Sequence, residues 1–221
     1  MKNLILFFIF SLLLCSCKES KTKNNSSDSV AASHQQYSIE QFLNNTNIYA
    51  RSFSHDEKEI LVGSNESGIY NAYLINLESG KSQPLTESKD ESVWVSSLFP
   101  NDSRMIYTAD NGGNEIDHIF LRNEDGSTKE LTPDEGAKAG FYGWSDDLKS
   151  FFFGSNKRDK RYMDVYEMDI ENFDSKLIYK NTEGYDFDGI SNNKQYIAVT
   201  KSINTNDVDL SCLLSQENDI M

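Results

Sequence analysis

Short apolar runs, alternating segments and polar turns follow one another in a fixed order through most of the chain. The apolar runs are Ile60–Val62, Met105–Tyr107, Phe151–Phe153 and Tyr196–Val199. The alternating segments that follow are Tyr70–Ile75, His118–Leu121 and Asp164–Met168. Runs this short, with a period of two, are typical of β-strands that place one side against a neighbouring sheet and the other towards solvent. The pattern therefore predicts several small antiparallel sheets.

A four-residue phrase opens each repeat and sets its period. Its four copies are Phe53-Ser54-His55-Asp56, Phe99-Pro100-Asn101-Asp102, Trp144-Ser145-Asp146-Asp147 and Ile190-Ser191-Asn192-Asn193, at steps of 46, 45 and 46 residues. Four short strands at a period of 40 to 50 residues are typical of β-propeller blades. We therefore predict an all-β fold, a partial β-propeller of about three and a half four-stranded blades over residues 53–210. The blades are predicted to begin near residues 53, 99, 144 and 190.

The C-terminal residues leave the repeat pattern, and we predict an irregular tail over residues 211–221. Propeller rings contain roughly four to eight blades, so three and a half would leave an apolar sheet face and strand edges uncovered. A degenerate last repeat that acts as a cap is one explanation. A premature stop or frameshift within a longer gene is the other, and we favour it.

The N-terminal residues predict export. Lys2 precedes an apolar run from Leu4 to Leu14, which is too short to cross a bilayer and has the length of a signal-peptide core. The next residues resemble a bacterial lipobox, so residues 1–16 are predicted to be a lipoprotein signal peptide and Cys17 the lipid-bearing first residue of the mature protein. An ordinary signal peptide or an anchor helix is the alternative. Residues 17–36, rich in Ser, Asn, Lys and Gln, are predicted to form a disordered tether.

The net charge and the cysteines limit the partners and disulfides that the chain can have. The net charge of −14 argues against nucleic acid, which requires a basic face, and against electrostatic adhesion to anionic lipid. With Cys15 removed and Cys17 lipidated, Cys212 has no partner for an internal disulfide.

No cofactor, metal or catalytic group is predicted in these 221 residues. The sequence lacks Gly-x-Ser-x-Gly, and its three histidines, His34, His55 and His118, each have an ordinary place in the tether, a turn or a strand. The segment Asp186-Phe187-Asp188-Gly189 resembles a calcium loop, but Gly184 and Gln195 stand where an EF-hand requires acidic residues.

The residues before the first repeat point to a family. Residues 37–52 are predicted to be a lead-in helix and strand, with Ser38 as N-cap and Gln41 completing a capping box. The helix sequence Ile39-Glu40-Gln41-Phe42-Leu43, followed by the first repeat, resembles the start of the propeller in prolyl oligopeptidase family serine peptidases, of the acylaminoacyl and dipeptidyl peptidase-like type. The resemblance extends over about residues 38–210.

The resemblance implies a propeller that restricts access to an α/β-hydrolase domain carrying Ser, Asp and His, none of which can be assigned here. It also makes Glu115 a candidate contact for a substrate amino terminus, with a solvated loop carboxylate as the alternative role. The Asp-Gly pair usual in such repeats is replaced at Glu57, Ser103, Leu148 and Lys194.

Two functions remain open at this point. The chain is either the propeller part of an exported lipoprotein peptidase or a non-enzymatic, Tol-type envelope lipoprotein that binds a protein or peptide, because Tol propellers carry a similar phrase. Either would be attached to the membrane through its lipid. Lys18 and Glu19 after Cys17 lack the inner-membrane retention signal, which favours the outer membrane of a bacterial envelope.

Overall fold

The computed structural model describes residues 36–214, and the chain divides into two units, residues 1–43 and 44–221. In the first unit, helix α1 spans Ile39–Leu43. The backbone N–H of Gln41 donates to Ser38 Oγ at 3.3 Å, and the backbone N–H of Ser38 donates to Gln41 Oε1 at 2.9 Å. These reciprocal bonds satisfy backbone donors at the helix start and confirm the predicted capping box.

The second unit contains four consecutive antiparallel sheets, which we call blades 1 to 4. Blade 1 comprises β1 (Ile48–Phe53), β2 (Glu59–Ser64), β3 (Asn71–Asn76) and β4 (Ser82–Pro84). Blade 2 comprises β5 (Trp94–Leu98), β6 (Met105–Ala109), β7 (His118–Arg122) and β8 (Thr128–Glu130). Blade 3 comprises β9 (Ala139–Trp144), β10 (Ser150–Ser155), β11 (Asp164–Asp169) and β12 (Ser175–Tyr179). Blade 4, within residues 36–214, comprises β13 (Asp186–Ile190), β14 (Tyr196–Ser202) and β15 (Val208–Leu214). In each blade the strands lie in chain order, which confirms the predicted partial β-propeller.

The hydrophobic core lies between successive blades. Blades 1 and 2 share a cluster that includes Leu61, Ala72 and Met105, and blades 2 and 3 share one that includes Ile119 and Phe151. A third cluster joins blades 3 and 4 and consists of Val165, Tyr179, Ile197 and Val199 with partly buried neighbours. Each blade therefore depends on its neighbour for burial of its apolar face.

The alternating pattern predicted that one side of each strand faces solvent, but the middle strands of blade 3 are buried on both sides. All six residues of β10 and five of the six residues of β11 are buried. Blade 3 lies between two other blades, so both faces of its central strands are covered. This is why β10 carries three consecutive phenylalanines, Phe151 to Phe153, rather than an alternating pattern.

Two predicted boundaries are wrong. The strand assigned to the lead-in segment, β1, is the first strand of blade 1, and each blade begins about five residues before the predicted start. The predicted tail also begins too early, because β15 continues past residue 210 to Leu214. Its pairing with β14 supplies the backbone hydrogen bonds that hold Ser211 to Leu214 in a strand.

The repeated phrase forms the turn between the first and second strands of each blade. In blade 1, Ser54 Oγ donates to Asp56 Oδ1 at 2.8 Å and accepts the backbone N–H of Glu59 at 3.0 Å. Asp56 Oδ1 also accepts the backbone N–H of Lys58 at 3.2 Å. Blades 3 and 4 repeat this arrangement around Ser145 and Ser191. The phrase recurs because a Ser and an Asp or Asn two residues later close the same turn.

These turns have a left-handed backbone at the position where related repeats usually carry Gly. Glu57, Leu148 and Lys194 have φ of 56°, 56° and 60°, and each stands where the related repeats usually carry Gly. A residue with a Cβ atom costs roughly 1–2 kcal/mol in this conformation. The backbone is therefore strained in three of the four turns that the repeated phrase forms.

Leu148→Gly should raise the free energy of unfolding by about 0.5–1 kcal/mol, because it relieves this strain at a half-exposed side chain while adding some freedom to the unfolded chain. Urea denaturation of the chain without residues 1–16 measures the change. Ser103→Gly is the matched control, since Ser103 occupies the same turn position without a positive φ and should give no gain. A loss of stability in Leu148→Gly would contradict the explanation.

Polar residues at the start of the third strands attach the linkers between blades. In blade 1, Asn71 Nδ2 donates to the carbonyl of Ser88 at 3.0 Å, and its Oδ1 accepts Thr86 Oγ1 and the backbone N–H of Ser88, both at 2.8 Å. In blade 3, Asp164 Oδ1 accepts the backbone N–H of Asn181 at 2.8 Å. These bonds fix the chain where it leaves one blade for the next.

A charged contact also joins blades 3 and 4. Lys194 Nζ, from the turn of blade 4, donates to the buried carboxylate of Glu167 in β11 at 2.7 Å. Lys176 Nζ lies 2.9 Å from the other oxygen of Glu167. Burial alone would raise the pKa of Glu167, but the bonds from Lys194, Ser150 and Lys176 hold it below its ordinary value.

Candidate functional site

An aromatic cluster lies where blades 1 and 2 meet. Tyr70 and Trp94 have ring centroids 4.5 Å apart, and Tyr49 lies 5.7 Å from Tyr70 and 6.4 Å from Trp94. The Tyr49 hydroxyl accepts the backbone N–H of Val95 at 3.2 Å, which fixes its ring between the two blades. Trp94 is 41% exposed, so the cluster presents an aromatic surface to solvent.

This aromatic cluster already holds one cation. The Arg51 guanidinium lies 4.9 Å from the centroid of the Tyr49 ring, within the range of a cation–π contact. The π-face of Trp94 is the strongest of the aromatic side chains for such contacts. The cluster can therefore hold a second cationic or apolar group on its exposed part.

An acidic cavity of about 440 Å³ lies at the end of blade 2. Four of its lining residues are acidic and none is Lys or Arg. The acidic residues are Glu91, Asp110, Glu130 and Glu135. No Lys or Arg forms an ion pair with Glu91, Asp110 or Glu135 within residues 36–214. The cavity therefore favours cations.

Carboxylates hold the loop that borders this cavity. Glu91 Oε1 accepts the backbone N–H of Gly112 at 2.9 Å, which joins the linker between blades 1 and 2 to the loop of residues 110–117. Asp110 Oδ2 accepts the backbone N–H of Glu115 at 2.8 Å. Glu115 itself is exposed and has a φ of 58°. The structure thus places this predicted site residue on the loop beside the cavity.

Negatively charged side chains surround the loop of residues 110–117. Burial and the neighbouring charge of Asp110 raise the pKa of Asp117, against the opposing effect of Lys138. His118 Nδ1 is hydrogen-bonded to Glu130 Oε1, and His118 Nε2 is buried without a hydrogen-bond partner in the part of the chain that the structure describes.

The aromatic cluster and the acidic cavity lie at the same end of blade 2. Trp94 in β5 pairs with Thr108 in β6, and Asp110 follows two residues later. Two residues of strand span roughly 7 Å. Glu91 lies only three residues before Trp94 along the chain. An extended peptide can therefore reach both surfaces at once.

The other predicted residues lie elsewhere. His55 Nδ1 is 2.8 Å from the carbonyl oxygen of Pro100, where it joins the turns of blades 1 and 2. Asp186 to Gly189 lie within β13. Cys17 and His34 are outside the described residues. Among residues 36–214, no group of three or more His, Cys, Asp or Glu side chains could hold a metal ion, and no helix is long and apolar enough to cross a membrane.

Most residues of this site have no motif in the sequence. Tyr49, Tyr70 and Trp94 come from three strands or loops of two blades, and Glu91 comes from a linker. Their only sequence signal is position, since Tyr49 and Trp94 precede the turn phrases of their blades by four and five residues. The blade pairing had to be known before these residues could be brought together.

No family model matches the chain, and no curated protein matches it. The structure resembles TolB from Acinetobacter baumannii at a TM-score of 0.59 and 20% identity, over 77% of this chain and 42% of that one.

Two peptidase structures are also similar. A prolyl endopeptidase aligns at a TM-score of 0.57 and 13% identity, over 79% of this chain and 29% of that one. Dipeptidyl peptidase 4 from Porphyromonas gingivalis aligns at 0.54 and 17% identity, over 76% of this chain and 25% of that one. The chain thus spans less than half the length of each of these three proteins. It has the propeller fold that the repeats and the family resemblance predicted.

Proposed function

We propose that this chain is the propeller part of an exported, lipid-anchored protein related to the prolyl oligopeptidase serine peptidases. In this proposal the propeller admits and holds peptides, and an α/β-hydrolase domain outside these 221 residues carries the Ser, Asp and His. The observation that supports it is the acidic cavity beside the exposed loop of Glu115, on a fold shared with two peptidase propellers.

Glu115 is the proposed contact for the peptide amino terminus. It lies on a loop already fixed by carboxylates, and the nearby charges of Asp110 and Asp117 add to the attraction for an ammonium group. Its alternative role as a solvated loop carboxylate predicts no contribution to binding.

The mature chain should bind a peptide with a free amino terminus, and acetylation of that terminus or Glu115→Gln should weaken binding about 2- to 5-fold, the range of an exposed ion pair. Fluorescence anisotropy measures binding, and release of a chromogenic leaving group measures hydrolysis. No hydrolysis is expected without the hydrolase domain. Equal binding of free and acetylated peptides would exclude the role of Glu115, and hydrolysis by this chain alone would contradict the proposal.

A non-enzymatic, Tol-type binding lipoprotein is the second candidate. The likeness to TolB favours it, since TolB gives a higher TM-score and identity than either peptidase. It predicts binding of a protein or peptide partner at the envelope and no associated hydrolase domain. The coding sequence beyond codon 221 separates the two candidates.

A further inference from the structure

We infer that the aromatic cluster and the acidic cavity together form a docking surface for an extended basic peptide segment with two Lys or Arg residues about three positions apart. The inference rests on the proposed peptide-holding function, but it names internal basic side chains rather than the peptide amino terminus. It also places the contact on residues other than Glu115.

Trp94 presents part of its ring to solvent, with 41% of the residue exposed. Its ring is held by Tyr70, with centroids 4.5 Å apart, so the indole is positioned before a ligand arrives. The same cluster already holds the guanidinium of Arg51 over Tyr49. A basic side chain placed over Trp94 would make the same type of contact.

The neighbouring cavity has the negative charge that a basic side chain requires. Its lining includes Glu91, Asp110, Glu130 and Glu135 and no basic residue, and it is large enough for the end of a Lys or Arg side chain. Glu135 is exposed, and Lys160 Nζ donates to the backbone carbonyls of Glu135 and Gly136 rather than to the Glu135 carboxylate. The carboxylate of Glu135 is therefore open to a ligand cation.

The separation of Trp94 and the acidic cavity matches the length of a short extended peptide. Trp94 pairs with Thr108, and the cavity begins at Ala109 and Asp110. An extended peptide advances roughly 3.3 Å per residue, so side chains three positions apart cover about 10 Å. This separation suits one basic residue over Trp94 and the next in the cavity.

The test uses the full mature chain, with Cys17→Ser to keep it free of lipid, and three short fluorescent peptides. The first is acetylated and amidated and carries two arginines separated by two small residues. The second has glutamine in place of both arginines. The third is the glutamine peptide with a free amino terminus, which reports on the proposed function by itself.

Trp94→Ala and Glu135→Gln should each weaken binding of the arginine peptide about 2- to 5-fold, the range of a single exposed cation–π contact or ion pair. Added salt should weaken binding in the parent chain and less in Glu135→Gln. Tyr142→Ala and Glu171→Gln are matched controls, since Tyr142 is a 38% exposed aromatic residue of blade 3 and Glu171 an exposed carboxylate in a turn. Both should bind as the parent does.

Three results would overturn the inference. They are equal binding of the arginine and acetylated glutamine peptides, unchanged affinity in both Trp94→Ala and Glu135→Gln, and an equal loss in Tyr142→Ala. If the free-terminus glutamine peptide still binds in any of these cases, the proposed function survives and only the basic docking surface fails. If no peptide binds at all, both fail. Thermal denaturation of each variant shows whether it is folded. If Trp94→Ala does not fold, Glu135→Gln, at an exposed site, still tests the inference.

Discussion

Asp164→Ala should lower the free energy of unfolding by about 3–5 kcal/mol, the largest effect expected of a single polar substitution in this chain. Asp164 is fully buried and accepts Arg158 Nε at 2.6 Å, Arg158 Nη2 at 2.7 Å and the backbone N–H of Asn181 at 2.8 Å. Its removal leaves the guanidinium and a buried backbone donor without their acceptor.

The loss should spread beyond blade 3 because Asn181 holds the linker to blade 4. Asn181 Oδ1 accepts the backbone N–H groups of Glu183, Gly184 and Tyr185, and its Nδ2 donates to the carbonyls of Met163 and Tyr185. Without Asp164, this linker loses the hydrogen bond from the Asn181 backbone N–H to β11. We therefore expect blade 4 to separate from blade 3 at lower urea concentrations.

Urea denaturation of the chain without residues 1–16, followed by circular dichroism, measures this change. Asp164→Asn should lose less, because an amide oxygen can still accept one of the bonds. Asp146→Ala is the matched control, an exposed carboxylate in the turn of the same blade that should change stability by less than about 0.5 kcal/mol. A loss below about 1 kcal/mol in Asp164→Ala would show that the network does not hold blade 3.

Cys17→Ser should abolish lipid attachment, since serine offers no thiol for thioether formation at the predicted first residue of the mature protein. Metabolic labelling with radioactive palmitate in a bacterial host, followed by membrane fractionation, measures the effect. The parent chain should carry label in the membrane fraction, and Cys17→Ser should carry none.

Cys15→Ser is the matched control for this experiment. Cys15 lies two residues before Cys17, inside the predicted signal peptide, and a small polar residue suits that position of a lipobox. It should be labelled as strongly as the parent. Label that disappears with Cys15 instead, or persists in Cys17→Ser, would contradict the lipoprotein assignment.

The sequence predicted the repeat because the turns that define it are local. A Ser and an Asp two residues apart close the same turn in blades 1, 3 and 4, so the phrase is visible in the sequence before any sheet is known. The helix cap at Ser38 and Gln41 is equally local and was also predicted. Such bonds depend on residues within five positions of one another.

Features that depend on neighbouring strands were harder to predict. The first strand, β1, was predicted as a strand of a lead-in segment, and its pairing with β2 makes it part of blade 1. The final residues of β15 depend in the same way on β14. The polar residues Asn71, Asp117 and Asp164 recur at steps of 46 and 47 residues, a signal that the pattern of apolar runs hid.

The candidate site was the least predictable part because it is assembled between blades. Glu115 was identified through a family resemblance, whereas Trp94 and Glu91 have no motif. Their significance follows only from the meeting of blades 1 and 2, where Tyr49 lies against Val95. Long-range contacts of this kind carry no local sequence signature.

The most direct test of the proposed peptidase propeller is the coding sequence beyond codon 221, translated in all three frames. The proposal predicts further repeats of about 45 residues, each with an aromatic-Ser-x-Asp turn, followed by a Gly-x-Ser-x-Gly segment with downstream Asp and His. Absence of both the repeats and the hydrolase motif from every frame would contradict the proposal and leave the Tol-type binding lipoprotein as the better account.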